Sequence, residues 1–134
     1  MRFMLLLKGD PQIDTSPGAA PPAAPTELIA AMHRYNDELA KAGVLLAAEG
    51  LHPSAMGGAQ VVKNSGGGVR VVDGPFAEAK ELVAGFYMID VKSLDEAVEW
   101  ARRCPVELAC SGDMEAVVEV RQISETVQEV YPDA

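Results

Sequence analysis

Two stretches of this chain, residues 2 to 8 and 82 to 91, are apolar at odd and even positions alike. A strand carries that pattern when both of its faces are covered, whereas a strand with one wet face alternates. Arg2 to Lys8 and Leu82 to Val91 are therefore expected as central strands of one sheet. Whatever the rest of the chain does, it has to cover two sheet faces at these positions.

The segments that can do the covering are few. Leu28, Met32, Tyr35 and Leu39 recur at helical spacing behind Pro25-Thr26 and stop at Gly43, which predicts a first helix. Ser93 with Glu96 forms a capping box, and Leu94, Ala97, Val98 and Ala101 give a second helix its apolar stripe before Pro105. Trp100 lies to the side of that stripe. Contact with another chain and burial under the loop from Cys104 to Asp113 both fit it. Val44 to Ala48 and Glu115 to Arg121 read as further strands. Gln60 to Lys63 and Val69 to Val72 flank Asn64-Ser65-Gly66-Gly67-Gly68, the composition of a hairpin turn.

The resulting order is strand, helix, strand, hairpin, strand, helix, strand. This is an α+β chain, a ferredoxin-like split β-α-β with an inserted β-hairpin. Two helices cover one face of such a sheet. The second face of the two-sided strands needs another cover, and the same sheet of a second copy is the simplest one. A homodimer packed sheet to sheet is the expectation.

At 134 residues the chain is expected as a single domain, residues 1 to 134, with a core that needs no disulfide or metal. Residues 9 to 25 are rich in proline and alanine and are expected as a mobile loop, and residues 124 to 134 as an acidic tail. The net charge of −9 disfavours nucleic acid and anionic membranes as partners and leaves small molecules and proteins. Cys104 and Cys110 lack the spacing of a zinc site and suit two reduced thiols, hence a cytoplasmic protein. The apolar run from Phe3 to Leu7 is too short for a signal-peptide core or a membrane span.

Charge is concentrated between the hairpin and the following strand, in Asp73-Gly74-Pro75-Phe76-Ala77-Glu78-Ala79-Lys80-Glu81. Connections held by strands are favoured places for binding and catalysis. Gly74 before Pro75 and the fixed φ of Pro75 aim Phe76, which suits a pocket wall or a core residue. Glu78, Lys80 and Glu81 suit a polar ligand or a solvated face, and Asp73 suits a turn-capping carboxylate or a catalytic one. His33, on the flank of the first helix, is of the residue type suited to general acid-base work, with Asp10 after the first strand as an orienting carboxylate. His52, held extended before Pro53, and Glu49 at the end of the second strand are candidate pocket residues. Gly66-Gly67-Gly68 lacks the Lys-Ser/Thr and the following helix of a phosphate loop and reads as a turn.

The run from Asp73 to Glu81, followed by Gly85-Phe86-Tyr87, resembles the signature of the DGPF group of YCII-related proteins. Gly43-Val44-Leu45, Glu49-Gly50-Leu51 and Leu94-Asp95-Glu96-Ala97 extend the resemblance over most of the chain. The resemblance implies a dimeric α+β barrel, and a His-Asp pair whose nearest matches are His33 and Asp10, with Asp73 as an alternative carboxylate. Glu49, His52, Phe76, Glu78, Lys80 and Tyr87 make up the expected substrate-binding set. The group is often encoded beside alternative sigma factors, a hint of regulation. The expected function is cofactor-free acid-base chemistry, a lyase or isomerase acting on a small organic acid or phenol, with no metal. The alternative is a ligand-binding or regulatory dimer without turnover.

Overall fold

The computed structural model describes residues 1–9, 26–54, 59–73, 82–109 and 115–134. Strand β1 (Arg2–Lys8) is followed by helix α1 (Thr26–Lys41) and strand β2 (Leu45–Gly50). A hairpin of β3 (Gln60–Asn64) and β4 (Val69–Asp73) comes next, then β5 (Val83–Asp90), helix α2 (Leu94–Arg103) and a 3-10 turn (Val106–Ala109). Strand β6 (Val118–Gln122) and the short helix α3 (Val127–Val130) complete the order.

The four longer-range strands form one antiparallel sheet in the order β2-β5-β1-β6, which is the ferredoxin-like arrangement, and β3-β4 pair separately. The two strands with two-sided apolarity, β1 and β5, are indeed the central pair. Their register sets Phe3 opposite Ile89, Leu5 opposite Tyr87, Met4 opposite Met88 and Leu6 opposite Phe86. Alternation then sorts these side chains onto two faces.

Phe3, Leu5, Tyr87 and Ile89 point to the helices and join Tyr35, Leu39, Ala97, Trp100 and Cys104 in one buried cluster. Phe3, Leu5 and Ile89 are fully buried, each worth roughly 1.5–3 kcal/mol relative to exposure. Met4, Leu6, Phe86 and Met88 occupy the opposite face, where they are only partly buried and lie outside that cluster. Glu119 on β6 pairs with Leu6 and Arg121 with Met4, so this second face is an apolar centre with a charged rim.

Helix α1 ends as its sequence indicates, with Gly43 in the left-handed region at φ 74°. The capping box of α2 is modified: the Ser93 hydroxyl accepts from the Glu96 N–H, while Glu96 accepts from the N–H of Lys92 rather than that of Ser93. The buried stripe of α2 also differs from the expected one. Leu94 is exposed, and the inward positions are Ala97, Trp100 and the following Cys104. Trp100, 7% exposed, is thus a core residue. The hairpin turn is held by the Asn64 carboxamide, which accepts from the Gly66 N–H at 2.9 Å, with Gly66 at φ 83°. Beyond β6, Glu125 receives Nε and Nη2 of Arg2 at 3.1 Å each, which ties the acidic tail to the first strand. Arg2 thereby holds the Glu125 carboxyl below its usual range.

Candidate functional site

Helix α1 presents His33, and its rigidity comes from two long-range bonds. Tyr35 donates its hydroxyl to the Trp100 carbonyl at 2.7 Å, and Tyr87 donates to the Asn36 carboxamide at 2.6 Å. The first bond has a clear cause. Helix ends leave their last carbonyls without intrahelical partners, and the Cys104 N–H closes early onto Ala101 rather than Trp100. The Tyr35 hydroxyl fills that vacancy and ties α1 to α2. The rings add edge-to-face contacts, Tyr35 with Tyr87 at 5.3 Å and Tyr35 with Trp100 at 6.4 Å between centroids, and the Arg103 guanidinium lies 4.1 Å over the indole.

His33 stands one turn before Asn36 and Asp37 on this locked helix and is exposed to solvent. Among the described residues it makes no hydrogen bond or ion pair, so its imidazole is unengaged. Its expected orienting carboxylate, Asp10, lies outside the described residues. Asp73, the alternative, ends β4 with its Oδ1 receiving the Gln60 Nε2 at 2.6 Å across the hairpin.

The remaining nominated residues are dispersed. Tyr87 faces the helices from β5, 4% exposed, with its hydroxyl committed to Asn36. Burial, and then the neighbouring Cys104 thiol, pushes its pKa up to about 12, so at neutral pH it is a protonated packing and anchoring group. Glu49 pairs with Phe86 and therefore belongs to the sheet face opposite the one that packs on α1. His52 is exposed just past β2. Phe76, Glu78 and Lys80 lie outside the described residues. Cys104 is buried at 3% exposure, and burial, aided by Glu107, pushes its thiol up to about 12. Such a thiol is inert at neutral pH.

Asn36 and the Tyr35–Trp100 tie were not found from the sequence. Tyr87 and Asn36 are 51 positions apart, and no local spacing announces such a pair. A groove of about 570 Å³ between α2, the 3-10 turn and β6 is lined mainly by Val98, Ala101, Cys104, Val106, Val118 and Val120. None of the nominated residues lines it. Among the described residues no three His, Cys, Asp or Glu side chains are gathered as metal ligands. No described helix is long and apolar enough to cross a membrane.

The β2-β5-β1-β6 sheet with its helices on one face agrees with a comparison of the sequence against known families. The YCII-related domain matches residues 1–126. The chain belongs to the YCII-related family. It is also similar to an uncharacterized protein of Rhizobium meliloti (strain 1021), 54% identical over 44 residues. That match covers 33% of this chain and 36% of the relative, so it spans about a third of the relative's length. Membership brings the α+β architecture of this YCII-related chain with it.

Proposed function

We propose that this YCII-related protein is a homodimer that binds a small organic molecule and moves a proton on it through His33, in a cofactor-free lyase or isomerase reaction. The observation that carries the reading is an exposed imidazole with no described partner, on a helix fixed by the Tyr35–Trp100 and Tyr87–Asn36 bonds. General acid-base catalysis needs such a group: an imidazole that solvent and a ligand can reach, held still by what lies behind it. Tyr87 and Cys104 are kept protonated by burial and serve as packing behind it. Asp10 is the carboxylate that would set the imidazole tautomer. Membership of the DGPF group belongs to the same proposal.

The second face of the sheet is what supports the dimer. Met4, Leu6, Phe86 and Met88 form an apolar stripe on strands whose other face is already covered by helices, and a matching stripe on a second copy completes it.

A turnover screen with small organic acids and phenols, run on the wild type and His33→Ala, tests the function. Because His33 is exposed, the variant is expected to stay within about 0.5 kcal/mol of wild-type stability and to lose on the order of 10²–10⁴-fold in turnover. Equal rates in the two proteins would overturn the assignment. A second reading, a ligand-binding or regulatory dimer working beside a transcription factor, is favoured by the net charge of −9, which suits a protein partner better than nucleic acid. It predicts a ligand whose affinity survives His33→Ala and which is released unchanged.

A further inference from the structure

Asn36 is half-buried on α1, between the core and His33. At about 100° per residue, Asn36 lies about 60° around the helix from buried Leu39, and His33 about 60° beyond it. Their spacing of three residues makes the two side chains neighbours, with Cβ atoms about 5–6 Å apart. The Asn36 carboxamide has a fixed orientation. The Tyr87 hydroxyl stands 2.6 Å from Oδ1, a length usual for O–H···O and short for a bond to an amide nitrogen. Burial keeps that hydroxyl protonated, its pKa pushed up to about 12, so the donor persists at neutral pH. With the oxygen committed to Tyr87, both Nδ2 hydrogens are turned away from the hydroxyl. Among the described residues nothing accepts from them.

The sheet leaves room for a ligand beside this group. Ala48 on β2 lies opposite Tyr87, and the next pair on the same face is Gly50 with Gly85, neither carrying a side chain. A Cβ at Gly50 would meet nothing within 4 Å. The chain reverses after α1 at Gly43, where the Val44 N–H bonds to the Leu39 carbonyl, so β2 runs back towards the start of the helix. Two residues of strand, about 6.6 Å, match about four residues of helix. The step from Ala48 to Gly50 therefore leads from the level of Asn36 to the level of His33.

Two N–H donors beside an imidazole are the pair of groups that enolisation requires. His33 accepts the α-proton of a carbonyl compound, and the C–H electrons become the C=C of an enolate. The C=O π electrons move to oxygen, where the Nδ2 donors hold the charge. Return of the proton from His33 to another carbon completes an isomerisation. A neutral carboxamide also suits a chain of net charge −9, whose field opposes a bound anion but not a neutral carbonyl.

We propose that Asn36 is a ligand-binding residue of the His33 site, its Nδ2 donors holding the carbonyl oxygen of a small enolisable compound, with Tyr87 as the positioning residue that sets the carboxamide. The inference rests on the His33 reading, and the test separates the two. p-Nitrophenol, a planar stand-in for the enol, is titrated into isotope-labelled protein and followed by NMR. In the wild type the Asn36 side-chain N–H pair is expected to shift and saturate. Asn36→Asp keeps an oxygen for the Tyr87 hydroxyl and replaces the donors by a carboxylate. It is expected to raise the p-nitrophenol dissociation constant at least about tenfold. Tyr87→Phe leaves the donors but frees the carboxamide, and is expected to raise the constant about threefold, an effect that vanishes in the Asn36→Asp background. Circular dichroism checks the folding of each variant. A wild-type Asn36 pair unmoved at every p-nitrophenol concentration, or an Asn36→Asp constant equal to the wild-type one, overturns the inference. Equal turnover by the wild type and His33→Ala overturns the acid-base reading instead and leaves the Asn36 response standing.

Discussion

Tyr35 shows how much one hydroxyl carries in this chain. It caps the Trp100 carbonyl that the end of α2 leaves unpaired, inside the core, so its loss leaves a buried acceptor without a donor. Tyr35→Phe keeps the ring contacts and removes only that bond. The expected cost is about 1–3 kcal/mol, read as a lower urea midpoint at unchanged m-value, and an unmoved midpoint would contradict the capping role. Cys104 gives the pH dependence. Its thiol is raised from 9.0 to about 12, and Tyr87 from 10.0 to about 12, both chiefly by burial. The unfolded chain therefore releases these protons at lower pH than the native one. The stability they contribute is whole below pH 9 and is lost as the pH climbs towards 12. Melting temperature is expected to fall across that window, and less steeply for Cys104→Ala, which starts lower because of its smaller side chain. Parallel slopes for the two proteins would remove Cys104 from this account.

At the scale of elements, β2 and β5 bring Gly50 opposite Gly85. A Cβ at Gly85 would sit 2.8 Å from the Glu49 carbonyl oxygen and 3.2 Å from the Gly50 Cα, both backbone atoms that cannot swing away. Gly85→Ala has to push the edge strand from its neighbour, at about 1–3 kcal/mol, and a melting temperature lower by roughly 5–10 °C is expected. A wild-type melting curve would show that β2 yields without cost. Much of the element layout was legible beforehand because its signals are local: the two-sided strands, the Leu28–Leu39 stripe, the asparagine and glycines of the hairpin. The buried side of α2 was not. Its sequence shows one stripe, Leu94, Ala97, Val98 and Ala101, and packing of Trp100 against Tyr35, far away in sequence, turns the helix towards Ala97 and Trp100 instead. The site was legible only in part for a similar reason. His33 can be singled out as a residue type, but the Asn36–Tyr87 bond that steadies its helix is a long-range side-chain pairing with no periodic trace.

The molecule as a whole is a sheet with one finished face. Helices α1 and α2 close the side of Phe3, Leu5, Tyr87 and Ile89, and Met4, Leu6, Phe86 and Met88, on the other side, lie outside that cluster and are only partly buried. The proposed dimer gives that side its cover. The mass in solution is the direct test. Light scattering on the chain at micromolar concentration is expected to give two copies of its 14.2 kDa mass, and a single 14.2 kDa species would contradict the account.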